Sequence, residues 1–325
     1  MSTLSDVDAS PYLEFLNEKA VAANPPRRLS TLLQLLQFKG MAPCDPADRK
    51  GLNPFFIPMA TDVDGTKVGL LRWPTAPEHL AMPLVRSNSG SSPSSGLQLL
   101  ATDVDHYIKR IAAEEDFKGS PMAREVIALA NNGLWDSQEP YVAGSVKKLG
   151  YGVERYQMLK VAPFPDIYKW LVDAHLAKGD QISALATAEK FNEVFLGWGH
   201  PYAFYAQVLA GMTGRDAEAK DAAKVSLRCP CWTITRDAAE LEAVCRIAGY
   251  SDMGEVKQLY QRLAEDPQHG KKTEGKAPAQ IALDRAAHMM DAVIFGYQDW
   301  DSVRAGLADM YQEAGMPELA DFVKL

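Results

Sequence analysis

Apolar positions in the first forty residues recur at helical spacing. Leu13, Leu16 and Ala20 share a face after Ser10-Pro11, which reads as an N-cap followed by proline at the first helical position. Pro25-Pro26 breaks that helix, and Leu29, Leu32, Leu33 and Leu36 form the stripe of a second. The stripe contains LxxLL twice; an amphipathic core helix accounts for it, with a coactivator box as the alternative. Residues 40–53, rich in Pro, Gly and Asp, predict a connector. The pattern then changes. Phe55-Phe56-Ile57, Val68 to Trp73, Met82 to Val85 and Leu97 to Leu100 are short apolar runs, separated by Asp64-Gly65 and by a Ser/Gly/Pro tract over 87–96. They predict a small antiparallel sheet of three or four strands with a mobile loop. From Thr102 onward the spacing is helical. Thr102-Asp103 caps a helix through Tyr107, Ile108 and Ile111; Ser120-Pro121 opens another, which ends at Asn131-Asn132-Gly133.

Between 163 and 263 the pattern repeats. Gly179, Gly214 and Gly249 lie 35 residues apart. Eight residues before each stands Leu171, Ala206 or Leu241, five before stands Ala174, Leu209 or Val244, and five after stands Ala184, Ala219 or Gly254. A fixed period of this length predicts stacked helical hairpins, each burying its apolar face against the next. Glycine ends the first helix left-handed, and a small residue in the second lets the pair cross closely. Pro165 and Pro201 are expected at the first position of their helices, and Thr235 is expected to cap the third. Glu265 to Lys276 predicts a loose polar loop, after which Pro278 opens a long helix.

On Tyr168, Leu171, Ala174, Gly179, Ala184 and Ala188 the chain resembles the tetratricopeptide repeat. Gly214, Ala219 and Ala223 carry a second unit, Gly249 a degenerate third, and Leu307, Ala308, Tyr311, Gly315 and Ala320 a further one. The resemblance implies a mostly α fold: a right-handed superhelix of TPR-like hairpins joined to a small N-terminal α+β module. The residue pattern and the repeat together divide the chain into N-terminal helices and connector (1–50), sheet (51–101), linking helices (102–162) and a repeat domain (163–325) with an irregular insert at 264–300. The resemblance also implies a concave face that binds a protein or peptide segment. By register that groove includes Lys169, Asp173, Phe204, Val208, Arg236 and Ala243, and His175 and Trp198 are added to it as candidate binding residues; the aromatic cluster Trp198, His200, Tyr202, Phe204 and Tyr205 reads first as stacking filler between hairpins, with binding anchors as the alternative. The Lys, Asn and Lys of the family's peptide clamp are not reproduced, so a mixed apolar and polar groove is expected. The period also resembles pentatricopeptide RNA readers, whose base-reading positions would here be Trp170, Tyr205 and Glu240. The whole chain is similar to a plastid-associated protein family of plants and green algae, on Gly69-Leu70-Leu71-Arg72-Trp73-Pro74-Thr75, Gly197-Trp198-Gly199-His200-Pro201 and the stretch from Glu274 to Asp284. That similarity implies a plastid stroma location and no activity; the alternative is the cytosol.

Composition narrows the functions. A net charge of −8 disfavours nucleic-acid and anionic-membrane surfaces, which need a basic footprint. No run approaches the roughly 18 apolar residues of a membrane span. Met1 to Ser10 is polar and acidic, unlike a secretory signal or transit peptide. Cys44, Cys229, Cys231 and Cys245 suit a reducing compartment as small hydrophobes. Cys229-Pro230-Cys231 is a CxC without zinc spacing, so no metal and no cofactor is expected. One enzyme motif stands out. Asp62-Val63-Asp64-Gly65-Thr66 resembles the first motif of haloacid-dehalogenase-like phosphatases, which implies Asp62 as nucleophile and Asp64 as general acid/base beside Mg²⁺. The competing reading is an Asp-Gly hairpin turn, and Lys67 stands where an EF-hand loop needs glycine. The leading expectation is a non-enzymatic adaptor or assembly scaffold. The phosphatase and an RNA-binding repeat are its alternatives.

Overall fold

The Asp-Gly pair is the turn of a hairpin. Strands β2 (Phe56–Thr61) and β3 (Lys67–Leu71) run antiparallel with Thr61 opposite Lys67. In the turn the Asp62 N–H donates to the Thr66 carbonyl at 2.7 Å, the Gly65 N–H donates to the Asp62 carbonyl at 3.0 Å, and Gly65 takes φ +82°. The sheet has five strands in the order β1-β2-β3-β4-β5, with β1 at Ala42–Pro43, β4 at Leu84–Arg86 and β5 at Gln98–Ala101. It is one strand larger than the apolar runs predict. β1 is two exposed residues, one a proline, and so carries no alternation to read. The register of β2 shifts between Pro58 and Ala60, where the proline lacks a donor. Beside it Gly69 is sterically required. A Cβ there would sit 2.1 Å from the Ile57 carbonyl oxygen.

The computed structural model describes residues 7–22, 25–80, 82–87, 96–135, 138–258 and 275–325. Most of the expected loops at 87–96 and 265–276 lie outside the described residues. Two compact units are present, each assembled from separate stretches: Met1–Asp48, Phe56–Arg86 and Leu99–Trp170 form the first, and Arg49–Phe55, Ser87–Gln98 and Leu171–Leu325 the second.

In the first unit α1 (Ser10–Glu14) runs on as a π-helical turn through Phe15–Lys19. Ser10 is its first residue rather than its cap; Ala9 holds that place, and Asp8 accepts the Ser10 N–H. Leu29, Leu32, Leu33, Leu35 and Leu36 of α2 (Leu29–Phe38) are all buried, so the LxxLL stripe is core. Asp103 caps α3 (Val104–Lys118) by accepting from the Asp105 and His106 amides, and α4 follows at Ala123–Ala130. The Arg28 guanidinium, nearly fully buried, pairs with Asp105 at 3.1 Å and donates to the Ala130 and Asn132 carbonyls. It satisfies the acceptors that the end of α4 leaves without partners. Two short helices, α5 (Ser145–Leu149) and α6 (Val153–Lys160), complete the unit up to the start of α7 (Pro165–Ala177).

The second unit is a series of helical hairpins. The glycines at period 35 all turn left-handed just past a helix: Gly179 at φ +74°, Gly214 at +78° and Gly249 at +96°. Gly179 joins α7 to α8 (Gln181–Val194), and Gly214 joins α9 (Gly199–Ala210) to α10 (Asp216–Ser226). Gly249 follows α11 (Ala238–Ile247) and precedes a helix entered at 253. Ala206, Leu209, Ala219, Ala223, Leu241 and Val244 fuse into one core. Two local expectations are corrected. Pro201 is the third residue of α9, because the helix begins at Gly199, where a Cβ would strike the Ile234 side chain. Asp237 caps α11 by accepting from Ala239, while Thr235 accepts the Asp237 amide. Pro278 opens α12 (Pro278–Ile294) as expected, followed by α13 (Trp300–Glu313) and α14 (Pro317–Lys324) around Gly315.

Two arginines close this unit on itself. Arg49, 1% exposed, donates to the Phe322 carbonyl at 2.7 Å and to Pro54, and lies 4.0 Å over the Phe322 ring. Arg304 donates to Val323, Arg49 and Leu52 carbonyls, and Asp301 accepts the Gly51 N–H. Segment 49–55 is thus bound to α13 and α14, and Phe55 packs its ring against Trp232 and Tyr311.

Candidate binding surface

The residues that register places in the groove do not share one environment. On α7, Lys169 is half-buried and Asp173 exposed. His175 is half-buried, its Nδ1 3.7 Å from Asp180. Asp180 caps α8: its carboxylate accepts the Ser183 amide at 3.0 Å, and that bond holds its pKa below the usual carboxylate range.

Trp198, Phe204 and Val208 are buried, at 2%, 7% and 8% exposure. Trp198 meets Trp232 edge-on at 5.8 Å; Phe204 meets Phe191 at 6.1 Å, and Phe191 also contacts Phe195 and His200. They stack the hairpins together rather than lining an open face. The physical reason is that α9 is apolar on almost every side, and a helix apolar all round is enclosed. Register says which residues share a face; it does not say whether that face meets solvent.

Arg236 borders a cavity of about 300 Å³. Thr235 to Ala239 with Leu241 and Glu242 form one wall, Met253 and Lys257 another, and Ile294 to Gly296 a third. The floor is apolar, through Leu241, Met253, Ile294 and Phe295, and the rim is charged. Both rim acids are committed: Asp237 accepts the Ala239 amide, and Glu242 pairs with Arg246. Arg236 donates to the Ser87 carbonyl at 3.3 Å. Apart from Arg236, no lining residue of this cavity stands out in the sequence, because its walls come from three helices with no local pattern in common.

The CxC segment meets a carboxylate. The Cys231 N–H donates to Asp291 on α12 at 2.7 Å. The carboxyl group is enclosed although the residue as a whole is half-exposed, and loss of solvent raises its pKa to about 7. Burial also raises the Cys231 thiol well above the ordinary range, so it is protonated. All four cysteines are free thiols, and among the described residues no group of His, Cys, Asp and Glu is placed to hold a metal ion.

The Asp62 and Asp64 carboxylates accept their neighbours' backbone amides, Val63 at 2.7 Å and Thr66 at 2.8 Å. They are turn-stabilising groups. The phosphatase motif requires a strand leading to a helix in a parallel sheet; here the chain returns as antiparallel β3. Asp62 and Asp64 therefore sit in a β-hairpin turn, the arrangement of the competing Asp-Gly reading.

Three family profiles cover the chain in order: PAB N-terminal over residues 10–160, PAB middle domain over 165–251 and PAB C-terminal domain over 256–325. A curated relative from Arabidopsis thaliana, "Protein IN CHLOROPLAST ATPASE BIOGENESIS, chloroplastic", is 34% identical over 319 residues, covering 97% of this chain and 91% of its own length. The chain belongs to the PAB family. The period-35 glycines fall within the PAB middle segment, and the cavity beside Arg236 is lined by residues of the PAB middle and C-terminal segments and by Met253 between them. The relative's name places it in the chloroplast, which supports the plastid location expected from sequence. No helix among the described residues is long and apolar enough to cross a membrane.

Proposed function

We propose that this PAB-family chain is a non-enzymatic assembly adaptor of the plastid stroma that holds a protein partner during ATPase biogenesis. The observation that carries the reading is the match along almost the whole chain to a chloroplast ATPase biogenesis protein. The hairpin series adds a physical means. Repeated helix pairs with left-handed glycine turns suit a TPR-like superhelix, and such an array offers an extended binding face. In the second unit that face is represented by Asp173, His175 and Arg236. Trp198, Phe204 and Val208 support it from beneath. The cavity beside Arg236, apolar below and charged at its rim, accepts one apolar side chain of the partner, as binding hot spots do.

The test is genetic and then biochemical. Arabidopsis thaliana lacking the relative should regain assembled chloroplast ATPase, read on native gels, when this chain is supplied. An Arg236→Glu, Leu241→Asp variant that still accumulates should restore much less. Full rescue by that variant would remove the cavity from the reading; no rescue by the intact chain would remove the assembly role itself.

A further inference from the structure

Residues 141–160 of the first unit are locally basic within this acidic protein. They contain four basic residues, Lys147, Lys148, Arg155 and Lys160, and one acid, Glu154. All four cations are exposed, and none of them forms an ion pair among the described residues. Several cations elsewhere do, among them Lys39 with Glu114, Lys118 with Glu115, Lys190 with Glu193 and Arg246 with Glu242. Three large apolar side chains stand exposed in the same twenty residues: Val142 at 64%, Tyr151 at 62% and Leu159 at 63%. Single exposed apolar residues are ordinary; three of this size among unpaired cations are not.

The inner face of the segment is fixed. Tyr141 donates to Asp116 at 2.6 Å, the Gly144 amide donates to the same carboxylate at 2.8 Å, and the Tyr141 and Tyr156 rings meet edge-on at 6.0 Å. Val146 is buried, and Gln157, also buried, donates to the Arg110 carbonyl and to Glu114. These anchors leave the opposite face of α6 outward. Arg155 and Leu159, four residues apart, share it, and Tyr151 stands just before the Gly152 N-cap.

We infer that α5 and α6 form a docking surface for an acidic, amphipathic segment of a partner protein. Its carboxylates would meet Lys147, Lys148, Arg155 and Lys160, and its apolar residues Tyr151 and Leu159. Charge complementarity selects this occupant: unpaired cations on a chain of net charge −8 attract anions locally while the rest of the surface repels them. That same net charge opposes a broad anionic membrane, which engages the whole chain rather than four residues. The inference rests on the assembly reading only for the partner being a protein, and the surface lies in the unit without the Arg236 cavity.

The probe is a fluorescent synthetic helix with glutamates on one face and leucines on the other, titrated against the full chain by anisotropy. Companion probes replace Glu by Lys or Leu by Ser, and phosphatidylglycerol vesicles form a separate arm. The glutamate-leucine helix should bind, weaken with salt, and lose about tenfold in affinity both with Lys148→Glu, Arg155→Glu and with Leu159→Ser. Unchanged melting temperatures keep those variants interpretable, and Arg236→Glu should leave binding intact. Equal binding of the lysine helix, retention by both surface variants, or binding to vesicles but not to the peptide would each overturn the inference. Loss with Arg236→Glu alone would move the site to the hairpin array and leave the assembly reading standing.

Discussion

A methyl group is the smallest side chain Gly69 can gain, and there is no room for it between β3 and the Ile57 carbonyl. Both contacting groups belong to paired backbones that cannot part without breaking the ladder. Gly69→Ala is expected to cost about 3 kcal/mol, read as a lower urea midpoint with unchanged slope. Gly179 is the opposite case. Space around it is open, so Gly179→Ala carries only the left-handed backbone penalty of about 1 kcal/mol. The period exposed Gly179 in the sequence; nothing there exposed Gly69, whose constraint comes from a strand across the sheet. Asp291 was equally hidden. Its raised pKa means the folded state holds a proton that the unfolded chain has released between the ordinary carboxylate value and about 7. Stability from this group therefore falls as pH rises through that window and is level above it. Asp291→Asn should flatten the slope of melting temperature against pH between about 4 and 7, and an unchanged slope would show that the carboxyl does not titrate there.

At the scale of elements, helices were legible wherever apolar residues kept period: α2, α3, α8, α9, α11 and α12 all fall where spacing puts them. Boundaries were less so. Thr235 and Asp237 are both capping residue types two positions apart, and only the backbone path decides for Asp237. Exposure was illegible for a related reason, since Phe204 and Val208 sit where the register puts them on α9 but are buried. The tie between segment 49–55 and α13/α14 had no sequence signal at all, because isolated arginines look like surface residues. Arg304 serves three buried carbonyls, and desolvation draws its pKa down while Asp301 opposes that shift. Arg304→Met removes their donors, so a loss of about 3 kcal/mol is expected in chemical denaturation. A loss under about 0.5 kcal/mol would mean that water replaces the guanidinium freely.

At the scale of the molecule, family segments and compact units divide the chain differently. The PAB N-terminal segment contains residues 49–55, yet those residues belong to the second unit. A fragment beginning at 165 should accordingly melt lower than the second unit does in the intact chain, measured by calorimetry, because Arg304 and Asp301 would lack Gly51 and the Arg49 and Leu52 carbonyls. The same thread has a consequence in time. The Arg49–Phe322 bond spans 273 residues. A chain emerging N-terminus first, from a ribosome at about 5–20 residues per second, shows segment 49–55 to solvent for tens of seconds before its acceptor exists. Over that interval Arg49 is a hydrated surface charge beside exposed Phe55 and Phe56, and the nascent chain offers a short cationic-aromatic stretch to whatever chaperone meets it first.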